Sequence, residues 1–271
     1  MYDYHLHSHF SGDCEEQMED IIKAAIKRGG KQLCFTDHLD YDYPTTEIQF
    51  DFDPDGFTET FEQLKEKYKD QILLQKGIEM GLQPHIAEMC EKFNKTFKPE
   101  FVLCSFHVGC KQDLFNGDFY RDRTPEQAWD DFIDDMLASL KAFKDYSVVG
   151  HIDILKRYDE ATKNVPLSYY RDKLSKVFEL IIADEKGIEV NMSGLRSGLK
   201  ETLPSRSIIE LYFELGGKYI TIGSDSHNQY DTYSHFYEVL KMLDEIGFES
   251  YTIYENRIPK QMSIKRALDN I

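Results

Sequence analysis

Basic side chains are scarce: 32 Lys and Arg stand against 49 Asp and Glu, a formal charge of −17, and the pI is near 4.9. A chain this acidic lacks the basic footprint that a phosphate backbone requires and is repelled by an anionic bilayer surface. Neither nucleic acid nor membrane is therefore the expected partner. No apolar run approaches the roughly 18 residues needed to span a bilayer. The opening Met-Tyr-Asp-Tyr-His has no basic stretch leading into an apolar one, so no secretory signal is expected. The five cysteines (Cys14, Cys34, Cys90, Cys104, Cys110) are odd in number and form no CxxC pair. Reduced thiols in a cytoplasmic protein are the expected state. There is no GxGxxG after the first β-rich run and no GxxxxGK[ST], so the common dinucleotide and P-loop fingerprints are missing.

What is present is a chain of 271 residues, 41% hydrophobic and 13% aromatic, enough to build a substantial core. β-rich runs at 2–7, 32–38, 72–79, 101–107, 148–153, 187–192, 219–224 and 251–254 alternate with helical patterns at 15–28, 57–68, 84–97, 125–143, 169–186, 205–215 and 233–246. That alternation predicts a parallel sheet. Seven or eight β/α units, with no linker and no internal repeat, favour a single α/β barrel of the TIM kind over residues 1–271. Thr124-Pro125 reads as a helix N-cap, and Gly29, Gly187 and Gly216 as helix stops. Segments 39–56 and 109–123 are expected to lie over the barrel mouth.

The nine histidines are the most informative feature. His5 and His7 form a period-two pair at the end of the first strand, so both side chains point to one side. His38, Glu79, His107 and His151 lie at or near the ends of the second to fifth strands, Asp225 and His227 form another period-two pair past the seventh, and Asp13 follows the first. In a β/α barrel those ends converge on one face, where the active site sits. Imidazole and carboxylate ligands without thiolate suit Zn²⁺, Fe²⁺ or Mn²⁺, and nine are too many for one ion. His85 and His235 sit at helical positions and read as structural, and His9 has no definite role. Arg157 and Arg196 fall on loops facing the same mouth, where a planar guanidinium can grip a phosphoryl group.

Taken together, His5-Leu6-His7-Ser8-His9, Phe35-Thr36-Asp37-His38, Gly77-Ile78-Glu79, Ser105-Phe106-His107, Gly150-His151-Ile152-Asp153 and Gly223-Ser224-Asp225-Ser226-His227 resemble the motifs of the PHP (polymerase and histidinol phosphatase) superfamily. Within it the chain resembles the monofunctional histidinol-phosphatases, from His5 to about Pro259. The resemblance implies a distorted TIM-like (β/α)7 barrel with three divalent metal ions at the C-terminal face. It implies His5, His7, Glu79 and Asp225 at a first ion, Glu79 shared with His107 and His151 at a second, and Asp13, His38 and His227 at a third. Many relatives have histidine where this chain has Asp13. The implied reaction is hydrolysis of L-histidinol phosphate in histidine biosynthesis, by in-line attack of a metal-bridging hydroxide. Arg157 and Arg196 would hold the phosphate, and Asp225 is a candidate catalytic group. Carboxylates such as Asp42, Asp118 or Asp122 are candidates for meeting the histidinol ammonium. Three alternatives stay open: another PHP phosphoesterase acting on a small phosphate monoester or nucleotide, a metal-dependent amidohydrolase, and a catalytically inactive binding barrel.

Overall fold

The computed structural model describes residues 1–45, 50 and 52–269. Seven parallel strands run β1 (Tyr2–Asp3), β2 (Gln32–Phe35), β3 (Leu73–Gly81), β4 (Phe101–Ser105), β5 (Val148–Val149), β6 (Gly187–Asn191) and β7 (Ile220–Gly223), paired in that spatial order. The register aligns Tyr2 with Gln32, Gln32 with Leu73, Gly77 with Phe101, Leu103 with Val148, Val148 with Gly187, and Ile188 with Ile220. β1 then closes on β7: Tyr4 N–H donates to Ile222 O at 3.1 Å, Asp225 N–H to His5 O at 2.7 Å and His7 N–H to Ser226 O at 2.9 Å. Strands enclosed on both faces need apolar residues at almost every position. Leu33, Cys34 and Phe35 in β2 and Phe101 to Cys104 in β4 meet that need, all of them buried.

Helices cover the outside: α1 (Met18–Lys27), α2 (Pro54–Tyr68), α3 (Ala87–Phe97), α4 (Pro125–Ala142), α5 (Leu167–Ala183), α6 (Arg206–Glu214), α7 (Phe236–Ile246) and α8 (Ile264–Leu268). In α1 the buried residues are Met18, Ile21, Ile22 and Ala25, the i, i+3, i+4, i+7 spacing of one helical face. Thr124 caps α4 in a reciprocal capping box with Gln127, as the Thr-Pro signal predicts. Between α4 and α5, Trp129 stacks on Tyr170 with ring centroids 4.0 Å apart.

Three expectations need correction. The run at 251–254 is not an eighth barrel strand: β8 (Ser250–Glu255) pairs antiparallel with β9 (Ile258–Ser263) and plugs the N-terminal end of the barrel. Its two-residue turn, Asn256-Arg257, has both residues left-handed (φ 50° and 70°), the geometry that joins tight hairpins. The second strand is broken at Thr36-Asp37, and a short segment, His38–Asp40, continues against β3. Gly29 and Gly216 are left-handed helix stops, but Gly187 is the first residue of β6, and Glu185 takes the left-handed conformation after α5. Of the segment 39–56 expected over the mouth, residues 46–49 and 51 lie outside the described residues.

Candidate metal centre

Four of the expected ligands stand two residues past the last paired residue of their strands: His5 after β1, His107 after β4, His151 after β5 and Asp225 after β7. With a side-chain period of two, this common even offset gives the four groups the same facing at the end of the barrel and brings them together. His7 and His227 follow two residues later, Glu79 lies within the long β3, His38 opens the broken second strand and Asp13 comes from the loop after β1. Glu79 is the meeting point. Its Oε2 lies 3.2 Å from His5 Nε2, 3.4 Å from His7 Nε2 and 3.2 Å from His38 Nδ1. Its Oε1 lies 3.2 Å from His107 Nε2 and 2.9 Å from His151 Nε2. Asp225 Oδ1 is 3.4 Å from His7 Nε2, and Asp13 Oδ2 is 3.5 Å from His38 Nε2 and 3.3 Å from His227 Nε2.

The hydrogen bonds behind these ligands set their tautomers. His5 Nδ1 faces Glu189 Oε1 at 2.6 Å, and His107 Nδ1 faces Asp40 Oδ1 at 2.7 Å. Because a carboxylate only accepts, each Nδ1 carries a proton, which leaves Nε2 as the atom that would meet a cation once its own proton is displaced. His7 reaches the same state through a relay. The Ser11 hydroxyl donates to Asp37 Oδ1 at 3.0 Å, which leaves its oxygen to accept from His7 Nδ1 at 3.0 Å. His5 Nε2 and His7 Nε2 lie 3.0 Å apart, both turned to the centre. Glu79 Oε2 is buried beside them without a hydrogen-bond partner, as are His38 Nδ1, His151 Nδ1 and Asp40 Oδ2. Buried polar atoms are ordinarily satisfied. Four overlapping groups (His5-His7-Asp225, His5-Glu79-His151, His38-Glu79-His107 and His7-His38-His227) each bring three ligand atoms within 4.8 Å of one another. This donor set fits divalent cations.

Electrostatics point the same way. Burial opposes charge on His5, but Glu189, Glu79 and Asp225 hold its imidazole well above the ordinary value. Burial likewise opposes charge on His38, which Glu79 and Asp13 carry up. His107, raised against burial by Asp40 and Glu79, reaches about 9. His7 falls to about 3, through burial and then the neighbouring His227 and His38. Despite burial, Glu79 is held well below the carboxylate range by His5, His38 and His107, and Asp225 by His5 and Arg157. Without metal, protons supply the positive charge that the carboxylates demand, and cations binding here would displace them.

The mouth opens into a cavity lined by Asp13, His38, Glu79, His107, His151, Asp225, His227 and Arg157, with Tyr43, Phe50, Phe115, Ile154 and Tyr158 opposite. Both long connections thus supply aromatic walls. The two arginines differ. Arg157 lines the cavity and donates to Asp225 Oδ2 at 3.0 Å and to Ser193 Oγ. Arg196 does not line it. Its Nη2 donates to Ser224 O at 2.7 Å and Asp225 O at 3.1 Å, and its Nη1 to Ser234 Oγ at 2.9 Å. Direct phosphate contact by Arg196, as expected from the sequence, would require it to give up those bonds. As placed, it braces the backbone around Asp225, which is left-handed at φ 53°. Two of the carboxylates suggested for an ammonium are engaged elsewhere: Asp42 pairs with His85 at 2.7 Å and Asp118 with Arg121 at 2.5 Å. His235 lies 3.5 Å from Glu238, and His9 packs on Phe10. Glu189, Asp40, Asp37 and Ser11 were not anticipated. Period two was the available signal for Asp40, two residues after His38.

A model of the PHP domain matches residues 3–193. The chain belongs to the PHP family. Seven of the nine candidate ligands fall in the matched PHP residues, while Asp225 and His227 lie beyond them. Full-length relatives extend across that remainder. A histidinol-phosphatase of Lactococcus lactis is 28% identical over 254 residues, 93% of each chain. A probable histidinol-phosphatase of Clostridium acetobutylicum is 30% identical over 263 residues, 96% of this chain and 99% of that relative. Among solved structures, histidinol phosphate phosphatase from Lactococcus lactis, complexed with Zn, L-histidinol and phosphate, superposes with a TM-score of 0.88 at 26% identity, covering 96% of this chain and 98% of that one.

Proposed function

We propose that this chain is a metal-dependent histidinol-phosphatase, hydrolysing L-histidinol phosphate to L-histidinol and inorganic phosphate, and so serves histidine biosynthesis. The observation that carries the reading is the set of imidazole nitrogens converging on the buried Glu79 carboxylate, with Arg157 beside them. The same reaction is supported by the full-length relatives named above and by the bound L-histidinol and phosphate of the Lactococcus lactis structure.

Three divalent ions drawn from Zn²⁺, Fe²⁺ and Mn²⁺ are the proposed complement. His5, His7, Glu79 and Asp225 hold the first, Glu79, His107 and His151 the second, and Asp13, His38 and His227 the third. When bound, such ions lower the pKa of a coordinated water and offset negative charge on phosphoryl oxygens. The protein's own groups do the rest. Arg157 turns a guanidinium edge to the phosphoryl group, where paired N–H donors suit its geometry. Asp225 anchors Arg157 while facing His5 and His7, which ties the phosphate grip to the ligand cluster. Tyr43, Phe50, Phe115, Ile154 and Tyr158 receive the leaving-group side, and a flat imidazole suits such a wall. The enclosed cavity favours a small phosphate monoester over a polymer.

Among the described residues no helix is long and apolar enough to cross a membrane. The five cysteines are free, four of them buried, which fits the reducing cytoplasmic setting proposed for a biosynthetic enzyme. The test is a panel of small phosphate monoesters and nucleotides assayed with added Zn²⁺, Fe²⁺ or Mn²⁺. L-histidinol phosphate should lead the panel in kcat/KM by about tenfold or more. A nucleotide or another monoester ahead of it would move the chain to a different PHP phosphoesterase activity.

A further inference from the structure

β6 is the barrel strand that supplies none of the nine candidate ligands, yet it carries Glu189 directly beneath them, fully buried. The carboxylate receives three N–H groups. Its Oε1 lies 2.6 Å from His5 Nδ1, and its Oε2 accepts from the backbone N–H of His151 at 3.0 Å and from Asn191 Nδ2 at 3.3 Å. Its ion-pair partner among the described residues is His5, and neither lysine nor arginine lies within salt-bridge distance. A buried carboxylate facing neither lysine nor arginine is costly unless the histidine beside it, or a cation held by that histidine, offsets its charge. The surrounding backbone is shaped to admit it. A Cβ on Gly223 would stand 2.2 Å from Glu189 Oε1 and 2.4 Å from His5 Cβ, and a Cβ on Gly150 would stand 3.3 Å from Glu189 Oε2. Glycine thus occupies the position in β7 where any side chain would collide with this pair.

We infer that Glu189 is a positioning residue for the metal centre, acting on two ligands at once. By accepting the Nδ1–H of His5 it locks that imidazole as an Nε2 ligand and makes it a stronger donor. By accepting the backbone N–H of His151 it sets where that second ligand enters the mouth. Its negative charge then complements the cations rather than a neighbouring side chain. Carboxylates behind ligating histidines typically change metal affinity by about 10- to 100-fold. The inference rests on the metal-centre reading above and goes one layer deeper.

The experiment compares wild type, Glu189→Gln and Glu189→Asp after chelator treatment, titrating Zn²⁺ against a chromophoric competitor. A glutamine oxygen can serve only one of the two principal donors and carries no charge. Glu189→Gln should therefore bind Zn²⁺ about 10- to 100-fold more weakly, and Glu189→Asp should recover part of that loss. Equal affinity in wild type and Glu189→Gln would overturn the inference while leaving the metal centre intact. A wild type that binds no Zn²⁺ would overturn the underlying reading itself. Nitrogen-15 NMR of the zinc-loaded wild type gives an independent arm that needs no variant to fold. His5 should be protonated at Nδ1 with Nε2 on the metal, and a proton on Nε2 would contradict the assignment.

Discussion

Both ends of the barrel bury polar side chains, and the two put them to opposite uses. At the N-terminal end the groups are neutral and answer one another. Tyr4 OH donates to Tyr254 O at 3.0 Å and accepts from Tyr254 N at 2.6 Å, Gln32 Nε2 lies 2.8 Å from both Tyr4 OH and Gln75 Oε1, Gln75 Nε2 donates to Tyr254 O at 2.8 Å, and Tyr254 OH donates to Ser147 O at 3.1 Å. Tyr254 also packs its ring 5.2 Å from Phe101. In that network Gln32 Oε1 alone is left without a partner. At the mouth the groups are ionisable, their outer atoms are tied down by Glu189, Asp40 and Ser11, and their inner nitrogens converge on the Glu79 carboxylate. A floor of this kind is complete as it stands and stabilises the barrel. A mouth of this kind is complete only with cations. Buried polarity therefore does not by itself mark a site. What marks it is metal-ligand atoms from several strands converging within a few ångströms of one carboxylate.

That contrast can be broken first at the floor. Tyr254→Ala removes a buried ring together with its hydroxyl and should lower unfolding stability by about 3 to 5 kcal/mol, measured by urea denaturation, while leaving the Zn²⁺ affinity of the folded protein unchanged. A parallel fall in metal affinity would mean that the two ends are energetically one unit. The contrast sharpens at the mouth through the two arginines. Arg157→Ala takes away a guanidinium that lines the cavity and should reduce kcat/KM for L-histidinol phosphate by about 100-fold. Arg196→Ala loosens the backbone around Asp225 without removing a cavity-lining group, and its loss should be nearer tenfold. Steady-state kinetics decide between them. Equal losses would place both guanidinium groups on the substrate.

Much of this layout was legible in the sequence because ligand-type residues recur at strand ends, and period two and barrel convergence turn that recurrence into a cluster. The mouth location and the meeting of His5, His7, His38, Glu79, His107, His151, Asp225 and His227 follow from those two rules, while the alternation left seven or eight strands open and the family resemblance implied seven. The floor was less legible. Asn256-Arg257 makes a tight turn without glycine, so β8 read as one more β/α strand instead of half of a hairpin. The roles of Glu189 and Asp40 are not legible in the sequence because an acid within a strand carries no local mark of what it will face. Arg157 and Arg196 each lie at or near the end of a one-turn helix after a barrel strand, Leu155–Tyr158 and Ser193–Arg196, and nothing in the sequence distinguishes them. Only the tertiary partners show that one faces the cavity and the other the backbone carbonyls of Ser224 and Asp225.

The central claim is that the mouth needs cations to act, and one assay meets it directly. Phosphate release from L-histidinol phosphate is followed in chelator-stripped protein, then after Zn²⁺, Fe²⁺ or Mn²⁺ is restored, with Glu79→Gln alongside as the variant lacking the shared carboxylate. Stripped protein should release no phosphate, restored wild type should regain activity, and restored Glu79→Gln should stay at least about 1,000-fold lower. Full activity in the stripped protein, or wild-type activity in Glu79→Gln, would contradict the account.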